Sequence, residues 1–185
     1  AEHFNGPAAV LVAPGGEIWV ADGHRGGNNR VMKFSADGEL LLQLGGGVDD
    51  TSRESGRFND PHDLKMDSQG RLFVADRGNN RIQIFAQAGE LLDIWTQFGR
   101  PSGLWIDADD RLYAADGMSG EQWNRGWERG IRIGDARSGY VTEFIPDYEV
   151  QSGSGIEFLA ADRDGNVFAG QVGRQRFEKY VRVRP

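Results

Sequence analysis

The chain has 185 residues, of which 38% are hydrophobic and 26% charged, and it contains no cysteine. This composition is typical of a folded globular protein, and the lack of cysteine excludes disulfide bonds and thiolate metal sites. The formal net charge of −7 argues against a nucleic-acid partner, because such a surface repels a phosphate backbone.

No apolar run approaches the roughly 18 residues that a membrane-spanning helix needs, so we expect a soluble chain with no membrane partner. The first residues, Ala1-Glu2-His3, do not form a signal peptide, although they are compatible with the product of its removal. The sequence therefore does not determine the cellular compartment, and secretion or a periplasmic location are among the candidates.

The predicted strands form four units of similar design, in which short Gly- or Asp-bearing turns separate strands of five to seven residues. The first unit has strands at 7–12, 16–22, 30–34 and 39–44. The second has them at 61–66, 70–76, 81–85 and 90–95. The third has 102–106, 110–116 and 130–133, and the fourth has 155–160, 165–171 and 176–180.

The units repeat with a period suited to a propeller blade. Their second strands end at Asp22, Asp76, Asp116 and Gln171, which are 54, 40 and 55 residues apart. The sequence therefore predicts an all-β fold, a β-propeller with four visible four-stranded blades in one domain, 1–185. The blades span approximately 4–45, 58–99, 100–147 and 153–185. The three aspartates at the strand ends are expected to cap turns.

Short motifs in the first two units resemble NHL repeats. Asn28-Asn29-Arg30 and Asn79-Asn80-Arg81 begin the third strands, and Phe58-Asn59 precedes Pro61 by the spacing of that repeat. Asn tolerates left-handed backbone and suits a tight turn, which accounts for the asparagines structurally. Because NHL propellers usually have more blades, the resemblance implies either part of a larger ring or an open, incomplete one.

Long loops are predicted on one face of the propeller. In an antiparallel meander, the loop from strand two to strand three lies on the same face as the link from strand four to the next blade. The longest insertions, 23–27, 45–56 and 117–129, all fall there, whereas the turns of the opposite face are short. A functional site is therefore expected on the loop-rich face.

His62 and Glu157 are the candidate metal ligands. Both stand at the start of a first strand, where side chains are expected to point toward the central channel. Imidazole and carboxylate together suit a divalent ion such as zinc. The alternative is a channel-lining histidine bound to water and a solvated glutamate.

Arg77 and His24 are the candidate catalytic residues, because each follows a second-strand aspartate on the same face. An arginine can clamp a carboxylate with two hydrogen bonds, and a histidine can exchange a proton near neutral pH. Ordinary polar loop residues are the alternative.

Trp123 and Trp127 are unusual in a loop and stand beside Arg125 and Arg129. The two indoles with Arg125 are candidates for binding a substrate or ligand, or a cation. They could equally fold back over the edge of the blade.

The stretch from Asp22-Gly23-His24 to Val74-Ala75-Asp76-Arg77 resembles the core of the peptidyl-α-hydroxyglycine α-amidating lyase family. That resemblance implies a six-bladed propeller with zinc held by three histidines and with arginines and a tyrosine around the substrate. Pro61-His62 matches one zinc-histidine motif, and Arg77 matches an active-site arginine. His24 stands where the family has its tyrosine, Glu157 aligns with another zinc histidine, and the remaining histidine would precede Ala1.

Two hypotheses about function follow. The chain is either a divergent, zinc-dependent lyase-like enzyme acting on a small molecule or peptide, or a non-catalytic scaffold that binds a peptide, glycan or protein. A sugar-lactonase-like activity is disfavoured because its acidic metal cluster is not evident in the sequence. Self-association is expected if the ring is open, because terminal blades then expose unpaired edges and apolar faces.

Overall fold

The structure is a computed structural model that describes residues 3–47, 52–149 and 153–183 and consists almost wholly of short antiparallel strands. The chain divides into two compact units, residues 1–95 and 96–185. Each unit contains two sheets, and every sheet is a meander of strands in chain order. Among the described residues, no helix is long and apolar enough to cross a membrane.

The first unit holds two four-stranded sheets. The first sheet consists of β1 (Pro7–Val12), β2 (Ile18–Asp22), β3 (Arg30–Phe34) and β4 (Leu40–Gly45). The second consists of β5 (Pro61–Met66), β6 (Leu72–Asp76), β7 (Arg81–Phe85) and β8 (Leu91–Trp95). A single 3-10 turn, Arg77–Asn79, follows β6.

The second unit holds the third and fourth sheets. The third sheet consists of β9 (Gly103–Ile106), β10 (Arg111–Asp116), β11 (Gly130–Asp135) and β12 (Val141–Pro146). The fourth consists of β13 (Ile156–Ala161), β14 (Val167–Gln171) and β15 (Arg176–Tyr180). Within the described residues the fourth sheet has three strands, the number predicted for the fourth unit.

The predicted all-β, blade-forming architecture is confirmed, and β1, β3, β5, β7 and β15 have the predicted bounds. A fourth strand was expected in the 100–147 blade without bounds, and β12 is that strand. Its pairing with β11 shifts register between Ile133 and Gly134, as the pairings of β4 with β3 and of β8 with β7 also do. The blade boundaries stay predictions, and residues 48–51 of the predicted 45–56 loop and 184–185 of the last blade lie outside the described residues.

Each unit is held together by an apolar layer between its two sheets. In the first unit, Trp19 and Val31 of the first sheet pack in one buried cluster with Leu64, Val74 and Phe85 of the second. Trp19, Val31 and Val74 have no solvent exposure. Alternate side chains along each strand point to this layer, as expected for a sheet with one covered face.

A second buried layer has the same design in the second unit. Tyr113 and Ile131 of the third sheet pack with Ile156, Val167 and Ala169 of the fourth. The repeat therefore encodes the same sheet-to-sheet packing in both units.

A buried carboxylate closes the loop after the second strand in each of the first three sheets. Asp76 accepts hydrogen bonds from the Asn59 backbone N–H (2.8 Å), the Asn79 amide (2.9 Å) and Arg81 Nε (2.6 Å). Asp22 and Asp116 make equivalent bonds in their own sheets, including ion pairs to Arg30 (3.0 Å) and Arg132 (3.3 Å). These aspartates are fully buried and hold loops in place, which is the capping role predicted for them.

Candidate functional site

Four polar side chains meet on the loop side of the first unit: His24, Asp60, His62 and Arg77. His24 follows β2, Asp60 precedes β5, His62 is the second residue of β5, and Arg77 follows β6. We call these residues the His–Asp–Arg cluster. It brings together three of the predicted site residues and one residue, Asp60, that the sequence reasoning missed.

Strand pairing sets the neighbours of Asp60 and Arg77. Pro61 and Asp76 are directly opposite in the β5–β6 ladder, so the residue before Pro61 comes next to the residue after Asp76. Gly23 then brings the β2 loop against the same proline. A side chain on Gly23 would lie 2.5 Å from the Pro61 ring, so only glycine permits this approach. His24 is thereby placed beside His62.

Arg77 is bound to Asp60 by two nitrogens. Its Nε lies 2.9 Å and its Nη2 2.6 Å from the same Asp60 oxygen, Oδ2. The arginine side chain is 8% exposed and the aspartate side chain 13% exposed. This pair is shielded enough to be stronger than a surface ion pair, and the charge of Arg77 is largely compensated inside the chain.

His24 contacts all three other members of the cluster. Its Nδ1 lies 3.3 Å from Asp60 Oδ1 and 3.4 Å from Arg77 Nη2. Its ring meets the His62 ring edge-on, with 4.9 Å between centroids. The His24 side chain is 34% exposed, so this ring is more accessible than the Asp60–Arg77 pair that it contacts.

The Asp60 backbone is fixed as well as its side chain. Asp60 has a left-handed φ of 57°, its N–H donates to Asn29 Oδ1 (3.0 Å), and its Oδ1 accepts from the Arg25 N–H (3.3 Å). Although burial raises it, the charges of Arg77, His62 and His24 and the hydrogen bonds from Arg77 hold the pKa of Asp60 below its ordinary value. The carboxylate is therefore ionised at neutral pH.

This arrangement suits proton exchange at His24. When Nδ1 carries a proton it can donate to Asp60, and Nε2 is then a basic nitrogen that can accept a proton from another molecule. When Nδ1 is unprotonated it can accept from Arg77 instead. In the first of these two states, the contact with Asp60 orients the ring.

The candidate metal ligands His62 and Glu157 lie in different compact units. Their joint coordination of an ion therefore stays a prediction. In the part of the chain that the structure describes, no group of three or more His, Cys, Asp or Glu side chains is arranged to hold a metal ion.

The tryptophan loop of the second unit is anchored by arginines. Arg100 lies over the Trp123 ring at 5.0 Å, and Arg132 lies 4.8 Å from the Trp127 ring. Arg125 instead points into solvent and contacts Glu121 at 3.3 Å, and both side chains are more than four-fifths exposed. The loop therefore combines two fixed indoles with one accessible cation.

A cavity of about 280 Å³ lies beside Trp123. Its lining includes Ser119, Glu121 and Arg129 as well as the indole, so it offers both polar and aromatic surface. Trp127 does not line this cavity. Ligand binding by Trp123, Arg125 and Trp127 therefore stays a prediction.

The chain matches a known repeat family and is similar in sequence to several known proteins. The NHL repeat family matches residues 58–85. The chain is 43% identical over 187 residues to NHL repeat-containing protein 3 of Homo sapiens, an alignment that covers 97% of this chain and 50% of that protein. It is 38% identical over 85 residues to the probable peptidyl-alpha-hydroxyglycine alpha-amidating lyase of Caenorhabditis elegans, covering 45% of this chain and 23% of the lyase.

A solved structure with the same fold is that of the RRP9 WD40 repeats, with a TM-score of 0.66 and 17% sequence identity over 98% of this chain and 52% of that one. The chain spans half the length of its human relative and less of the lyase. The chain therefore contains an NHL repeat in a β-propeller fold, and it is related to NHL repeat-containing protein 3 and to amidating lyase domains.

Proposed function

We propose that the chain is a lyase-like enzyme that cleaves an α-hydroxylated substrate at the His–Asp–Arg cluster. The observation that carries this proposal is the contact of His24 with both Asp60 and Arg77 on the loop-rich side of the first unit. The relationship to amidating lyases supports it, because the name of these enzymes specifies an α-hydroxyglycine substrate.

The proposed reaction needs one base and one acid. His24 Nε2 removes the proton from the substrate hydroxyl, the oxygen forms a carbonyl, the carbon–nitrogen bond breaks, and the departing amide nitrogen takes up a proton. From an N-acyl-α-hydroxyglycine the products are a primary amide and glyoxylate. Asp60 orients His24 through the contact with Nδ1, and Arg77 holds the Asp60 carboxylate in place through two hydrogen bonds.

Zinc is part of the proposal as a cofactor held by His62, with Glu157 as its predicted second ligand. A bound zinc ion would supply Lewis-acid chemistry next to His24. Metal content of the dialysed protein tests this directly. About one equivalent of zinc in the wild type and none in His62→Ala supports the assignment, whereas no metal in either protein, even after zinc is offered, contradicts it.

Turnover of N-benzoyl-α-hydroxyglycine tests the reaction itself. We expect benzamide release well above a protein-free blank, and at least about 100-fold slower release by His24→Ala, because general-base catalysis contributes about 10²–10⁴ in rate. His3→Ala is the matched control. It removes a histidine outside the cluster while keeping the His3 carbonyl that accepts from Asn28 and Arg30. Release no faster than the blank, from this acid and from its methyl ester alike, would exclude the enzymatic proposal.

A binding scaffold is the second candidate, and the cavity beside Trp123 together with exposed Arg125 favours it. The matching ligand would offer a flat or apolar group to the indole and a negative charge to Arg125, as an acidic peptide does. Short acidic peptides should then quench tryptophan fluorescence in the wild type. We expect a weaker response in Trp123→Ala and in Arg125→Ala, and equal responses in all three proteins would argue against this site.

A further inference from the structure

We propose that Asp60 is a specificity-determining residue that keeps free carboxylates off Arg77, so that the His–Asp–Arg cluster selects substrates in which the group facing Arg77 is uncharged. The assignment of a substrate class rests on the proposed function. The exclusion of carboxylates from Arg77 is a binding property that does not depend on catalysis.

The geometry supports this because Asp60 occupies the position that a ligand carboxylate would take. Arg77 Nε and Nη2 both donate to Asp60 Oδ2, at 2.9 and 2.6 Å. Arginine recognises a carboxylate through paired N–H donors of this kind, so an incoming carboxylate competes for the same donors. The guanidinium is also 8% exposed, which leaves little surface for a second anion.

Electrostatics disfavours a second carboxylate even where space can be made. One guanidinium and one carboxylate already cancel in charge, and another carboxylate would have to approach the Asp60 oxygens within a few ångströms. Like charges at that distance repel, and the repulsion is strengthened where solvent is largely excluded. An ester or amide carbonyl carries no net charge and avoids this repulsion.

Contacts of its backbone and side chain hold Asp60 in place, so its carboxylate does not readily rotate away from Arg77 when a ligand competes. Its backbone N–H donates to Asn29 Oδ1 at 3.0 Å, and its Oδ1 lies 3.3 Å from both the Arg25 N–H and His24 Nδ1. The internal carboxylate therefore has the advantage of a preorganised partner over any ligand from solution.

The direct test is the affinity for hippurate, an unreactive N-acylglycine carboxylate, measured by isothermal titration calorimetry. We expect Asp60→Asn to bind hippurate at least about tenfold more tightly than the wild type, because the change releases Arg77 and removes the repulsion. Asparagine tolerates the left-handed φ of 57° and keeps an oxygen for the Arg25 N–H. If Asp60→Asn does not fold, Asp60→Gly serves the same purpose, because glycine also accepts this φ.

Two further variants identify where hippurate binds. Adding Arg77→Gln to Asp60→Asn should remove the gain in affinity. Asp63→Asn is the matched control. It removes a nearby acid on β5 whose carboxylate pairs with Lys65 at 2.8 Å, and it should leave hippurate affinity unchanged. Equal affinities in the wild type and Asp60→Asn, or a gain that survives Arg77→Gln, would overturn the proposal.

Turnover gives a second and separable readout. The wild type should prefer N-benzoyl-α-hydroxyglycine methyl ester over the free acid in kcat/KM, and Asp60→Asn should shift this ratio at least about tenfold toward the acid, mainly through KM. A ratio that does not change would overturn the proposed selectivity. Absence of turnover with both substrates would refute the proposed function while the hippurate measurement still decides the role of Asp60.

Discussion

The second and fourth sheets have different residue types at the end of their second strands. In the second sheet the last residue of β6 is Asp76, whose Oδ2 accepts from Arg81 and from the Gln83 amide at 3.0 Å. In the fourth sheet the corresponding residue is Gln171, the last of β14, whose amide donates to Glu178 Oε2 at 2.5 Å.

Gln83 and Glu178 are each the third residue of their strand, two positions after Arg81 and Arg176. The carboxylate and the amide have thus exchanged places between the two sheets, and the arginine has kept its position. In each sheet one amide–carboxylate bond and one arginine–carboxylate pair remain.

The two arginine–carboxylate pairs differ in solvent exposure. Asp76 has no exposure and Arg81 is nearly buried, whereas the Arg176 side chain is 38% exposed and contacts both Glu149 and Glu178. A nearly buried ion pair nevertheless exists in the fourth sheet region, between Arg174 and Asp147 at 2.9 Å. The second and fourth sheets therefore share a pairing rule, and the location of the carboxylate decides how much each pair contributes to stability.

The largest expected effect is at Asp76. Asp76→Ala leaves Arg81, Asn79 and the Asn59 N–H without their common acceptor inside the protein, so we expect a loss of about 3–5 kcal/mol in the free energy of unfolding. Glu178→Ala removes the exchanged carboxylate at its more exposed position and should cost about 1 kcal/mol. Urea unfolding of the two variants checks this order, and equal losses would show that burial does not distinguish the sites.

The Asp147–Arg174 pair should make stability depend on pH. Although burial raises it, the hydrogen bonds and charge of Arg174 and the Glu149 N–H hold the pKa of Asp147 below its ordinary value. The folded state then binds its proton less readily than the unfolded state, so the pair stabilises the fold above the ordinary carboxyl pKa of about 4 and loses that contribution as pH falls below it.

Asp147→Asn should therefore cost about 2 kcal/mol in unfolding free energy at neutral pH, and less as the pH is lowered. Unfolding free energies of both proteins, measured between about pH 7 and pH 2.5, provide the comparison. A difference between variant and wild type that stays constant over this range would contradict the assigned ionisation.

The smallest expected effect comes from reversing the exchange in the fourth sheet. Gln171→Asp alone places two carboxylates together, and Glu178→Gln alone removes the carboxylate, so each should cost about 1 kcal/mol. The double variant recreates the Asp76–Gln83 combination and should recover about 1 kcal/mol through coupling. A double-mutant cycle measures this coupling, and additive losses would mean that the two sheets do not share the pairing rule.

Local signals explain why most strands could be predicted. Strand β7 begins at Arg81 after two asparagines, and Asn80 has the left-handed φ of 55° that this residue type tolerates. Strand β12 carries a weaker signal, because its apolar residues Val141, Phe144 and Ile145 do not alternate along the chain. The prediction was accurate where turn chemistry and alternation agreed.

The candidate site was predicted only in part. His24, His62 and Arg77 were recognised from residue type and from their position at strand ends on one face. Asp60 was missed, because its partners are 17 and 36 positions away along the chain and nothing in its local sequence distinguishes it from a turn residue.

The sequence by itself determined the repeat, the order of the strands and the face on which the loops gather, because period, alternation and turn residues act over a few neighbouring positions. The tertiary structure decided that Arg77 is paired with Asp60 and that His24 meets His62. Those contacts arise from the Pro61–Asp76 register and from the close approach of Gly23 to Pro61. Charge compensation depends on the distance between the charged groups. The distances between loops of different sheets are set only when the sheets pack against each other.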